Sequence, residues 1–357
     1  MEKLHFVSAW RKVREATWSG TAWGVFCSLK KYYDIEDINV GNEKYPLIKR
    51  VLQRIFGGDL SYSQVIQWKK KLEKSIKRGV YFQFTDIIHN QEGVRTYIFQ
   101  DCSANYVLFL AKEKPEMFRK SNFSHCKLKW IEKRAIMELD YFKSCSGIFT
   151  LSHWLVDDLV NRLGIPAEKV HYAGSGINVD YETTDKSERK GNKILFVGID
   201  FKRKGGYLVV EAFKILRKRM PDAELYVAGP RTNPIREKLS GYHFMGRCDR
   251  HKLNVLYNKC DVFAMPSYFE AFGIVFAEAL CFGLPCLGRR CCEMPYIIKE
   301  GETGELIDDD NVETASQKLY NLLTDSRYKQ NVKQRQHYFI NEYSWDKVAE
   351  RINKVIG

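Results

Sequence analysis

From Lys193 onward, short unbroken apolar runs alternate with longer amphipathic ones, and this rhythm restricts the fold more than any other feature of the chain. KILFVG reads as a strand buried on both faces, GGYLVVEAFKILRKRM as a helix and AELYVAG as the next strand. YHFMG, DVFAMP and LPCLG continue the series with helical segments between them. Buried strands joined by helices make a parallel sheet covered on both faces, so this half is expected to be an α/β, doubly wound domain of Rossmann type.

The first half offers LHFVSA, VYFQF, RTYIFQ and SGIFTL as strands in a less regular rhythm, and is expected to form a second Rossmann-like domain. A length of 357 residues exceeds what one core usually supports, which agrees with two domains. Between them, residues 181–193 are polar and without apolar periodicity, as a linker should be. The expected division is 1–180 and 181–343.

Charge is unevenly placed. Of the formal net charge of +13, residues 1–150 carry +10. A basic first half points to an anionic partner there, such as a phosphorylated glycan carrier, a membrane surface or nucleic acid, with a merely solvated surface as the alternative. SYSQVIQWKKKLEKSIKRG sharpens the question, because Trp68, Leu72 and Ile76 share one helical face ringed by Lys69, Lys70, Lys71, Lys74, Lys77 and Arg78. That face either rests on anionic lipid or packs on the sheet. The ten cysteines have neither C-x-x-C nor metal-ligand spacing and read as reduced and mostly buried; the adjacent Cys291 and Cys292 admit redox chemistry or plain packing. No apolar run resembles a secretory signal or a membrane span, so a cytoplasmic protein is expected.

The densest chemistry lies in PSYFEAFGIVFAEALCFGLPCLG. A strand should end near Pro266 and a helix begin near Gly273, which places the backbone N–H groups of Phe272, Gly273 and Ile274 at a helix N-terminus that favours an anion such as phosphate. Two carboxylates beside a phosphate must accept hydrogen bonds from hydroxyls. A sugar nucleotide presents hydroxyls on both sides of its diphosphate, so Glu270 is assigned to the transferred sugar and Glu278 to the ribose. The helix rises only about 7–8 Å from residue 273 to 278, within reach of one elongated ligand. Glu278 as an ordinary surface residue is the alternative. A second cluster, VGIDFKRKGG, gathers Lys202, Arg203 and Lys204 after the first strand of this half; it is either a solvated charge run or a diphosphate-binding turn.

These residues together resemble the family 4 glycosyltransferases, retaining enzymes of the GT-B fold, in which two Rossmann-like domains face each other across a cleft. The family's Glu-x7-Glu is met by Glu270 and Glu278. The likeness extends over residues 150–357, through SHWLVDDLVNRLGIPAEKVHYAGSGIN, the VG…KG turn, GLPCLG, GETGELI and SWDKVAERI. It implies that Lys204, after Gly198, binds the diphosphate, that Ile199 stands where an arginine is common, and that Arg203 substitutes for that arginine. Pro230, Gly246 and Arg247 would surround the nucleotide base, and Ala271 would lie in the same loop as Glu270. In the first half, Gly20 and Thr21 of TWSGTAWGVFCSLKKYY would approach the diphosphate, and Asp101 of YIFQDCSA would lie near the reacting sugar, unless it is a plain helix cap. Residues 344–357 would form a terminal helix packed back on the first domain.

The resemblance further implies a UDP- or GDP-sugar as co-substrate, no cofactor and no metal, since Lys204, Arg203 and the helix end would take the role a metal held by Asp-x-Asp has elsewhere. The acceptor is expected to be a glycan or lipid-linked glycan in cell-surface polysaccharide synthesis, with the enzyme peripheral to the inner membrane face. Three other readings stand beside it: a glycosidase, which also uses two carboxylates; a sugar-nucleotide epimerase of the same fold; and a basic nucleic-acid-binding protein, which would leave the glutamates idle.

Overall fold

The computed structural model describes residues 2–41, 60–73, 75–180 and 191–357. Most of the expected linker, 181–190, and Lys74 lie outside the described residues. The chain divides into two compact units, Met1–Gly176 with Trp345–Gly357, and Ile177–Ser344.

The second unit is built on six parallel strands: β7 (Lys193–Val197), β8 (Glu224–Ala228), β9 (Tyr242–Gly246), β10 (Val262–Ala264), β11 (Cys286–Arg289) and β12 (Gly304–Ile307), in the order β12-β11-β10-β7-β8-β9. The strand order reverses between β7 and β10. In doubly wound sheets the loops leaving the carboxyl ends of the two strands at that switch diverge and leave room for a ligand. Ile194, Leu195, Phe196, Leu225, Val227, Val262 and Phe263 are fully buried, as strands covered on both faces require.

The first unit has strands β1 (Lys3–Ser8), β2 (Asp34–Asn39), β3 (Gly79–Gln83), β4 (Val94–Gln100), β5 (Gly147–Thr150) and β6 (Val170–Tyr172), all parallel in the order β2-β1-β3-β4-β5-β6. Its core is aromatic: Phe6, Phe82, Phe84, Phe99 and Phe149 stack and tilt against one another at 5.2–6.2 Å. β2 (DIEDIN) is a polar edge strand whose pairing comes from β1, so no apolar run announces it.

The terminal helix Trp345–Ile356 belongs to this first unit. A Cβ added to Gly24 or to Gly176 would overlap the Trp345 indole, so the tail is seated where two glycines let the ring approach the backbone. Lys31 and Asp346 pair at 2.5 Å on the same face.

The amphipathic segment around Trp68 takes the packing alternative. Its helix ends at Leu72, and Trp68, Leu72 and Ile76 pack on Val7, Val40, Tyr81, Ile87, Ile88 and Val94. Lys69 turns inward to His89, with 2.9 Å between Nζ and Nε2, and burial lowers the pKa of both.

Candidate donor site at the sheet switch point

Both motif loops of the second unit leave strands at the switch point, residues 198–206 after β7 and 265–273 after β10. They are stitched together: the Tyr268 N–H donates to the Arg203 carbonyl at 3.0 Å, and the buried Ser267 hydroxyl reaches the same carbonyl at 3.4 Å. A Cβ on Gly198 would stand 2.5 Å from Lys204 Cδ, so glycine at this position lets the lysine stem lie flat across the strand end.

Lys204, 14% exposed, brings Nζ to 3.2 Å from Glu270 Oε2. Arg203 Nη1 lies 3.6 Å from the same oxygen and donates to the Phe269 carbonyl, while its Nε donates to Asp200 at 3.2 Å. One carboxylate oxygen thus faces two cations, through charge and without a hydrogen bond. Ile199, the departure from the family pattern, is 62% exposed and takes no part in this cluster.

The helix Ile274–Cys281 starts from Gly273, whose φ of 86° and ψ of 52° lie in the left-handed region. A Cβ there would also stand 2.9 Å from the Phe276 ring and 3.1 Å from Glu270 Cγ, so the position needs glycine for conformation and for space. Phe272 is buried beside Tyr343, and Ala271, Phe272, Gly273 and Ile274 form the turn onto the helix.

Glu278 is not a surface residue. It is 4% exposed, and Oε2 accepts a hydrogen bond from the Tyr257 hydroxyl at 3.0 Å. Burial pushes its pKa up to about 7, against the opposing effect of the Tyr257 hydroxyl, the Asn178 N–H and the charges of Arg250 and Lys204. Pro230 follows β8 and Gly246 ends β9; the Gly229 N–H donates to the Gly246 carbonyl at 2.7 Å, which brings these two strand ends together, with Arg247 exposed beside them.

Gly20, Thr21 and Asp101 lie in the first unit, at the carboxyl ends of β1 and β4. Trp18, Ser19 and Gly20 are three successive left-handed residues (φ 51°, 57° and 100°) leading onto the helix Thr21–Leu29. The helix-cap reading of Asp101 fails, because Ser103 caps the helix Ala104–Glu113 by accepting from the Tyr106 N–H at 2.9 Å. Burial raises Asp101 to about 6, against the N–H groups of its own residue and Cys102.

Sequence reasoning missed two supports of the second unit's site and one buried ion pair of the first unit. Tyr257 sat unmarked inside an amphipathic helix. Arg289, buried, donates from Nε to Pro266 O at 3.3 Å, pairs with Asp310 at 2.5 Å and covers the Tyr268 ring at 4.4 Å, which braces the loop carrying Glu270. In the first unit, buried Asp86 holds Arg134 through a 2.7 Å hydrogen bond. An Asp-x-Asp spacing lies at Asp308 and Asp310, but these aspartates are taken by Arg290 at 2.9 Å and by Arg289. Among the described residues no group of three or more His, Cys, Asp or Glu is placed to hold a metal, and no helix is long and apolar enough to cross a membrane. Cys291 lies against the Ser267 and Tyr268 carbonyls, and all ten cysteines are free thiols, but only Cys145, Cys260, Cys281 and Cys286 are buried and Cys27 is exposed, against the expectation of mostly buried cysteines.

Two six-stranded parallel sheets, one with cations and glutamates gathered at its switch point, define a protein of the GT-B class. Residues 181–339 match the family described as Glycosyl transferases group 1. The D-inositol 3-phosphate glycosyltransferase of Corynebacterium glutamicum is 24% identical over 250 residues, which cover 63% of this chain and 60% of that protein. The chain thus spans about 60% of the length of the curated relatives it matches. WaaG, a glycosyltransferase involved in lipopolysaccharide biosynthesis, superposes with a TM-score of 0.68 at 18% identity, covering 99% of both chains. The pneumococcal O-GlcNAc transferase GtfA, solved with UDP and GlcNAc, gives 0.57 at 14% identity over 82% of this chain and 59% of that one.

Proposed function

We propose that this chain is a retaining glycosyltransferase that moves a hexose-type sugar from a nucleotide diphosphate sugar to a hydroxyl of a glycan or glycolipid, without a metal. One observation carries the reading: Lys204 and Arg203 converge on Glu270 at the switch point, directly before the helix Ile274–Cys281. A diphosphate entering there takes over the two cations from Glu270 and also meets the helix N-terminus. Glu270, relieved of its counter-ions, is left to accept hydrogen bonds from the sugar, and Glu278 from the ribose.

The bond that breaks joins the anomeric carbon to a phosphate oxygen, and its electron pair leaves with the phosphate. Lys204 and Arg203 stabilise that growing negative charge; preorganised donors of this kind are worth on the order of 3–4 kcal/mol each. The acceptor hydroxyl attacks from the face the phosphate leaves, and its proton passes to the departing phosphate oxygen. Retention follows from the resemblance, and no enzyme nucleophile enters. Pro230, Gly246 and Arg247 line the base end, while Gly20, Thr21 and Asp101 of the first unit serve the diphosphate and the transferred sugar.

The first unit is assigned to the acceptor because of its charge. Exposed Lys114, Arg119, Lys120, Lys127, Lys129 and Lys133 crowd one stretch of it, and the ammonium groups of Lys129 and Lys133 lie 5.2 and 5.0 Å from the Trp130 ring. A phosphorylated or lipid-linked glycan at the inner face of the cytoplasmic membrane fits that charge, and synthesis of a cell-surface polysaccharide is the pathway class it suggests. UDP is the first nucleotide to try, since GtfA was solved with it. The test is product analysis by NMR with UDP- and GDP-sugars in EDTA, with and without a glycan acceptor. Retained anomeric configuration in an acceptor-linked product supports the proposal; isomerised sugar nucleotide without acceptor, or no turnover of any donor, refutes it.

A further inference from the structure

Glu278 is held from a direction the donor-site motif does not contain. Tyr257, in the helix Arg250–Lys259, is fully buried, with its ring stacked on Phe282 at 5.2 Å and tilted against Phe263 at 6.4 Å. The phenol oxygen therefore has a fixed place, 3.0 Å from Glu278 Oε2; a second acceptor, Val275 O, is farther at 3.4 Å. The Asn178 N–H also donates to the Glu278 carboxylate. A carboxylate offers about four acceptor sites, so with these two taken, two remain for a vicinal diol.

We propose that Tyr257 is a positioning residue of the donor site, whose hydroxyl holds the Glu278 carboxylate in the orientation that accepts from both ribose hydroxyls of the nucleotide. The proposal rests on the reading of Glu278 as the ribose acceptor. A buried carboxylate free to rotate would lose a charge-assisted hydrogen bond and spread its acceptors over several directions, and the diol would then bind one orientation in several. The same donation favours the ionised form, which alone accepts from two hydroxyls. Burial already raises Glu278 to about 7. The charged groups bearing on it are Arg250 and Lys204, which favour ionisation; the buried Cys281 thiol is itself raised by burial and by Glu278. Removing the phenol hydroxyl raises the carboxyl further, so ribose recognition at pH 7 weakens and returns in part as the pH climbs.

The experiment measures dissociation constants of UDP and 2′,3′-dideoxy-UDP, and of the guanosine pair, from pH 6 to 9 for the full chain, Tyr257→Phe and Glu278→Gln. The Phe ring keeps the packing against Phe282, and circular dichroism melting checks that each variant folds. Glu278→Gln should erase the preference for the ribonucleotide at every pH. Tyr257→Phe should cut that preference about tenfold at pH 7, leave dideoxy binding unchanged and regain only part of the preference by pH 9, because ionisation does not restore the orientation. Full recovery by pH 9 would overturn the positioning role. A Tyr257→Phe preference equal to wild type, with Glu278→Gln having lost it, overturns the positioning role and leaves the site reading intact. A Glu278→Gln variant that still prefers ribose overturns the site reading itself.

Discussion

The two units carry the same sheet architecture but hold their candidate residues differently. In the second, Lys204, Arg203 and Glu270 converge from two loops bonded to each other, with Glu278 on the helix that follows, so their geometry is set by the switch point and braced by Arg289 and Tyr257. In the first, Gly20 and Thr21 follow β1 and Asp101 follows β4, separate strands beside an aromatic core. The difference places the proposed donor recognition in one braced cluster, whereas the first unit offers separate groups and a cationic surface.

The largest effect should come from Lys204→Ala, which removes the cation from the leaving group. Turnover should fall about 10²–10³-fold in an initial-rate assay, about 3–4 kcal/mol. A fall of less than fivefold would dissolve the contrast between the units.

Glu278→Gln should move stability without ligand. The carboxyl lies at about 7 in the fold against an ordinary 4.5, so its protonated form favours the folded state. That contribution is full below about pH 4.5 and lost as the pH rises to about 7. Urea unfolding should find the variant more stable than wild type at pH 8, by on the order of 3 kcal/mol, with the gain absent below pH 4.5.

Trp68→Ala probes the first unit's packed face. It should cost about 2 kcal/mol in urea unfolding and leave binding to anionic vesicles unchanged, because this side chain packs on Val7, Tyr81 and Ile88. Lost vesicle binding with unchanged stability would restore the surface reading. Asp101→Asn should have the smallest effect on the donor: unchanged nucleotide affinity, with any loss confined to turnover below tenfold, checked by equilibrium titration and steady-state kinetics.

Much of this was legible where one physical cause dominates a stretch of chain. KILFVG and AELYVAG are strands because both faces are buried, and Gly273 marks a turn because only glycine takes its φ beside Glu270. The convergence of Lys204 on Glu270, 66 positions apart, could be inferred only from the switch-point rule. The polar edge strand Asp34–Asn39 was invisible because its partner, not its own pattern, makes it a strand. Trp68 was ambiguous because lipid and a protein core demand the same amphipathic face. Tyr257 carried no signal at all: a buried tyrosine becomes meaningful only once the group its hydroxyl touches is known.

The most direct test of the central claim, that the second unit's switch point binds the donor diphosphate through Lys204 without a metal, is calorimetric titration of UDP and GDP into the full chain in EDTA, comparing wild type with Lys204→Ala. One nucleotide should bind the wild type in EDTA and at least tenfold more weakly to the variant. Equal affinity in the two proteins, or binding that appears only when a divalent ion replaces EDTA, would contradict it.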